Sequence, residues 1–321
     1  MNAPQRSTSQ DWPDIPYTEW EATTTTLQLW MQIIGKIRLV QTPWTNHSWH
    51  APLYLSTRGL TTSPIPHGGR LFELIFDFID HQLVIQTSLG EKRQVALEPR
   101  SVADFYRAVM AELHALGLDV AIRTTPCEIV DPIPFERDTL HHHYDADAAC
   151  RFWRALLQAD RVFKEFRSRF LGKCSPVHFF WGSFDLAVTR FSGQLAPVHP
   201  GGIPNLPDWV TREAYSHQVI SAGFWPGGGG AQAASFYSYA YPTPPGFSES
   251  TIAPAEARWT ASLGEFLLPY DAVRTAPSPD EVLLSFLQST YEAAAQGLHW
   301  DRDQLQRQPI SAWRDGNGSR C

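Results

Sequence analysis

Residues 71–97 read LFELIFDFIDHQLVIQTSLGEKRQVAL, and this stretch decides the fold class. Phe72, Leu74, Phe76 and Phe78 alternate with Glu73 and Asp77, the period of a half-buried strand. Asp80-His81 turns the chain into Leu83–Thr87, and Leu89-Gly90-Glu91 turns it again into Gln94–Leu97. Three short strands joined by tight turns make an antiparallel meander. Helices flank it on both sides. Leu27, Trp30, Ile34 and Ile37 recur at helical spacing within Thr23–Val40, and Pro43 lies just past the end. Ser101 is a good N-cap for a helix whose inner face is Phe105, Val109, Leu113 and Leu116, and Gly117 stops it. A short strand is expected at Val120–Arg123. The reading is an α+β protein.

The second half repeats the order. Asp145 caps a long helix to Phe170, with Phe152, Leu156, Phe163 and Phe166 along its apolar face. Strands are expected at Val177–Trp181, Leu186–Phe191, His217–Phe224, Phe236–Tyr241 and Glu265–Pro269, with a last helix over Pro279–Gly297. The first strand is expected at Pro52–Leu60, and 192–210 as a Pro/Gly-rich loop. Residues 12–123 and 145–302 therefore form two α+β halves with antiparallel sheets and long helices. The Pro-containing segment 124–144 connects them, and 1–11 and 306–321 are expected to be disordered tails. HAPLYLSTR (50–58) and CSPVHFFW (174–181) both follow a long helix and open a strand after proline. This suggests two similar halves related by duplication, with two unrelated halves as the other reading.

Composition removes several function classes. The 321 residues carry a net charge of −7 with no Lys/Arg-rich patch, which disfavours nucleic acid. No run of about 18 apolar residues exists to span a membrane, and the N-terminus has no apolar leader, so a cytoplasmic protein is expected. Cys127, Cys150, Cys174 and Cys321 form no C-x-x-C pair. P-loop, G-x-S-x-G and H-E-x-x-H motifs are absent. Gly228-x-Gly230-x-x-Ala233 fits a dinucleotide fingerprint only formally, because no helix follows, so no cofactor is assigned. His47-x-x-His50, Glu213-x-x-x-His217 and His141-His142-His143 lack a third ligand at diagnostic spacing, so no metal is assigned.

The chemistry-bearing residues cluster between 175 and 241. Arg190 shares a strand face with Leu186 and Val188, and a buried guanidinium needs an acceptor. Asp185, Glu213 or an anionic ligand are the candidates. His217 shares a face with Val219 and Ser221, and Tyr237, Tyr239 and Tyr241 share another. The expected site has His178, Asp185, Arg190 and His217 as catalytic groups. His217 is the acid–base group, Asp185 its orienter and Arg190 an anion clamp. Arg58, Trp181, Glu213, Trp225, Tyr237 and Tyr239 are the expected ligand contacts. An enzyme acting on a small polar or aromatic metabolite is the first reading. A non-catalytic small-molecule binder and an interaction protein, as a homodimer, are the rivals.

The blocks LWMQIIGKIRL (29–39), LYLSTRGLTT (53–62), SPVHFFWGSFDLAVTRFSG (175–193), YSHQVISAGFWPGG (215–228), FYSYAYP (236–242), LGEFLLPYDAVR (263–274) and LSFLQSTYEAAA (284–295) resemble a bacterial domain-of-unknown-function family, five-nine-nine-six. The resemblance runs over about 12–302 and implies one unit rather than separable modules. It implies no activity. Gln218 departs from the family pattern, which has Glu there.

Overall fold

The alternation of 71–80 emerges as β4 (Arg70–Asp77), the central strand of a six-stranded antiparallel sheet. The computed structural model describes residues 11–228 and 233–307. Among them are seven α-helices and two six-stranded antiparallel sheets. Most of the two tails, and Gly229 and Gly230 of the glycine run, lie outside the described residues.

The first sheet runs β1 (Tyr54–Leu55), β2 (Gly59–Thr61), β4, β5 (Gln82–Thr87), β6 (Lys92–Ala96), with β3 (Ile65–His67) also paired to β4. The strand expected at Pro52–Leu60 is therefore a hairpin. Ser56 Oγ accepts from the Arg58 and Gly59 backbone N–H groups and folds the chain there. The strand expected at 120–123 is not formed. That segment has no ladder partner and runs as irregular chain.

Helix α1 (Tyr17–Gln41) is buried on all sides over residues 29–38, where the polar Gln32, Lys36 and Arg38 each donate to a backbone carbonyl. Trp30 stacks on Phe105 of α2 (Val102–Ala115) with ring centres 4.5 Å apart. Ser101 and Asp145 cap α2 and α3 (Ala146–Ser168) as expected. The connector 124–144 is laid onto α1. Gln32, fully buried, takes the Cys127 backbone with both ends of its amide, at 2.9 Å each.

The second sheet runs β11 (Arg258–Thr260), β12 (Glu265–Pro269), β10 (Ser235–Tyr241), β9 (His217–Trp225), β8 (Asp185–Leu195), β7 (His178–Phe180). Helix α4 (Asp208–Ala214) ends the segment expected to be a loop. α5 (Tyr270–Arg274), α6 (Pro279–Gly297) and α7 (Arg302–Leu305) are the remaining helices among the described residues. Leu53 and Phe179 exchange backbone hydrogen bonds of 2.9 and 2.8 Å, joining the β1 edge of one sheet to the β7 edge of the other. One continuous cluster of buried side chains draws on both halves.

Candidate functional site

Period two divides the second sheet into two chemically different faces. Leu186, Val188 and Arg190 of β8 align with Phe224, Ala222 and Ile220 of β9, and this face packs on α3 and α6. Asp185, Ala187, Thr189 and Phe191 lie on the opposite face. Beside them in register are His178 on β7, Gly223, Ser221 and Val219 on β9, and Tyr237 and Tyr239 on β10. That second face lines a cavity of about 170 Å³.

Asp185 is 4% exposed. It accepts hydrogen bonds from Ser183 Oγ–H and Tyr237 Oη–H. Gly223 makes the second contact achievable, because a Cβ there would lie 2.3 Å from the Tyr237 ring and hydroxyl. The ring lies flat over β9 in the vacated space, stacked near Tyr239 (6.1 Å, 18°) and against Trp225 (4.8 Å). Tyr239 Oη meets Tyr215 Oη at 2.7 Å.

Two further carboxyls approach. Glu128 crosses over Gly182, where a Cβ would lie 2.0 Å from its Oε1. Glu265 sits beside Tyr239 across the β10–β12 ladder, since Ser238 pairs with Phe266. Its Oε2 is buried without a hydrogen-bond partner. Burial, and then the charge of Asp185, pushes Glu128 up to about 7 and Glu265 up to about 8. Burial likewise raises Asp185, opposed by its two hydroxyl donors. Tyr215 is pushed up to about 12, first by burial, and feels all three carboxyls. His178 is fully buried, and burial drives its imidazole down to about 3, leaving it neutral.

A second, larger cavity of about 440 Å³ adjoins the first and shares His47, Phe180, Ala214 and Tyr215 as lining. Its wall is mostly apolar, with Trp44, Trp181 and Trp209, and Glu128 lines it as well. Trp181 reaches this position because Gly35 of α1 leaves room for its indole, whose Nε1–H donates to the Ala51 carbonyl at 2.9 Å.

Of the residues expected from sequence, His178, Asp185, Tyr237 and Tyr239 line the smaller cavity, Trp225 packs on Tyr237, and Trp181 lines the larger one. The others go elsewhere. Arg190, 1% exposed, points to the helical side. The acceptor expected for it was a carboxylate or a ligand. It is instead the backbone carbonyl of Phe166, with the guanidinium over the rings of Phe166, Tyr291 and Phe170 at 3.4, 4.3 and 5.0 Å. His217 pairs across from Leu195, whereas the level of Asp185 on β9 is Trp225. The eight residue steps (225 − 217) span about 27 Å, so Asp185 does not orient His217. The His217 ring contacts Ser216 Oγ at 3.0 Å and lies 6.3 Å from His47. Arg58 pairs with Asp77 and Asp80 at the first sheet's rim, and Glu213 accepts from Trp44 Nε1–H at 3.0 Å. Glu128, Tyr215 and Glu265 are the members that sequence reasoning missed. Each comes from a different stretch and carries no local motif. Among the described residues no group of three or more His, Cys, Asp or Glu side chains could hold a metal ion, and no helix is long and apolar enough to cross a membrane.

Residues 12–307 match the family described as a family of unknown function (DUF5996), and the chain belongs to it. No curated protein and no solved structure matches the chain.

Proposed function

We propose that this family member is an enzyme acting on a small polar or aromatic metabolite, with the two adjoining cavities beside Asp185 as its active site. Asp185 carries the reading. It is a buried carboxyl on a cavity wall, positioned by Ser183 and Tyr237 and crowded by Glu128 and Glu265. Burial raises the Asp185 carboxyl, and burial with the charge of Asp185 holds Glu128 near 7; carboxyls raised in this way are suited to give and take protons. Asp185 is then the acid–base group, with Glu128 facing the same substrate from the larger cavity. Tyr237, Tyr239, Trp225 and Trp181 form aromatic walls. A bacterial cytoplasmic setting is part of this proposal, supported by the free thiols of Cys127, Cys150 and Cys174.

The test follows a panel of small polar and aromatic metabolites by mass spectrometry, with wild type and Asp185→Asn, both checked for an unchanged unfolding midpoint. Turnover by the wild type that Asp185→Asn abolishes supports the enzyme. A second reading, binding without turnover, is favoured by the apolar lining of the larger cavity. Ligand-induced thermal stabilisation with no product in either protein would select it. Equal turnover by both proteins would falsify the assigned site.

A further inference from the structure

The cavities beside Asp185 gather carboxyls that take no part in an ion pair among the described residues. Asp185 lines the small chamber and Glu128 the larger groove next to it. None of the ion pairs found among the described residues includes Asp185, Glu128 or Glu265. Of the cationic side chains nearby, Arg123 lines the larger groove and bears on Lys36 and Cys127 rather than on Glu128, and three others are engaged elsewhere. Lys36 Nζ donates to the Thr125 carbonyl at 2.6 Å, Arg38 Nε to the His50 carbonyl at 2.7 Å, and Lys173 Nζ meets His47 Nε2 at 2.7 Å. Arg190 lies on the other face of the sheet.

His178 gives an independent indication. It is 0% exposed, it lines the same chamber, and neither ring nitrogen has a hydrogen-bond partner. A neutral imidazole has one N–H and one lone pair to satisfy, and buried polar groups are normally satisfied. An occupant of the chamber that donates to that lone pair and to Asp185 answers both acceptors. Tyr237, Tyr239 and Phe180 also line the chamber, and aromatic rings attract cations.

We propose that the chamber takes the protonated amino group of a small organic amine, whose apolar or aromatic body lies in the tryptophan-lined groove. This rests on the active-site reading above and names its substrate class. An organic ammonium fits better than a metal ion, because the carboxyls and imidazoles of the described residues do not gather as a ligand set.

The charge balance makes the proposal testable by pH. Tyr215, Tyr237 and Tyr239 are raised by burial, Cys127 is pushed up to about 12, and His178 is held neutral, so these facing groups keep their protonation between pH 6 and 8. Burial lowers His47, Lys36, Arg38 and Lys173, the groups contributed by α1, the 46–48 turn and the segment before β7. His217 sits at the far end of β9. The carboxyls are what changes. With Glu128 near 7, a ligand that requires it ionised binds about tenfold more tightly at pH 8 than at pH 6.

Calorimetry of the full chain with phenethylamine, 2-phenylethanol, phenylacetate and magnesium chloride tests this. The amine is expected to bind in preference to the alcohol and the carboxylate, about tenfold more tightly at pH 8 than at pH 6. Glu128→Gln is expected to flatten the pH dependence, and Asp185→Asn to weaken the amine at both pH values. Several results would overturn the proposal: no amine binding, equal or tighter binding of the alcohol or phenylacetate, or displacement of the amine by magnesium. If Asp185→Asn abolishes turnover of a neutral metabolite while the amine is ignored, the cation is wrong and the active site stands. If neither turnover nor any ligand responds to Asp185→Asn, both fail.

Discussion

Replacing Glu265 by Gln is expected to stabilise the protein, and more so as the pH rises. Burial and Asp185 raise the Glu265 carboxyl from an ordinary 4.5 to about 8. A carboxyl raised on folding contributes fully to stability below its unfolded value, and the contribution is lost as pH climbs toward the folded value. Working the linkage at 1.36 kcal/mol per tenfold, ionisation in the unfolded chain costs the folded wild type about 1 kcal/mol at pH 5 and about 3 kcal/mol at pH 7. Solvent screening over the partly exposed residue brings the pH 7 figure to about 2 kcal/mol. Glutamine keeps the shape and never ionises, so Glu265→Gln recovers most of this. Urea unfolding at pH 5, 7 and 8.5 should show the variant ahead by less than about 1 kcal/mol at pH 5 and the gap widening above it. Parallel curves for variant and wild type across this range would refute the buried acidic cluster. A gain at pH 7 accompanied by weaker ligand binding would show stability given up for function.

Three other substitutions separate the site from its scaffold. Arg190→Ala removes a guanidinium packed among Phe166, Phe170 and Tyr291, so it is expected to cost about 3 kcal/mol in urea titrations and to leave turnover and ligand affinity unchanged. Gly223→Ala places a methyl 2.3 Å from the Tyr237 ring and breaks the Tyr237–Asp185 contact. It should cost about 1–3 kcal/mol and cut ligand affinity or turnover at least tenfold, whereas full activity with a normal midpoint would show Tyr237 to be dispensable. Gln32→Leu leaves the Cys127 N–H and C=O buried and unpaired, so about 2–4 kcal/mol of stability is lost. Because that brace holds the segment carrying Glu128, the pH dependence of ligand binding measured by calorimetry should flatten with it.

What the sequence disclosed follows from the range over which each signal acts. The alternation in 71–80 and the helical spacing in α2, α3 and α6 are local, and their elements formed where expected. The break inside 52–60 is closed by Ser56, whose N–H donates to the Gly59 carbonyl and whose Oγ accepts from Arg58 and Gly59, and this leaves no periodic trace. The site shows the same division. His178, Asp185, Tyr237 and Tyr239 belong to strands whose parity can be read, so their common face was legible. Glu128 and Glu265 stand 57 and 80 positions from Asp185 (185 − 128 and 265 − 185), and only the folded sheet brings them within Coulombic reach of it. Arg190 is the instructive case. Five positions separate it from Asp185 along β8, an odd number, so the pleat that puts Asp185 toward the cavity puts Arg190 toward α3. The alternation therefore already forbade their partnership. What it could not show was that three aromatic rings and a backbone carbonyl would replace the carboxylate, because those groups come from α3, the turn after it and α6. The cation of β8 is thereby spent on the core, and Asp185 on the opposite face forms no ion pair with it.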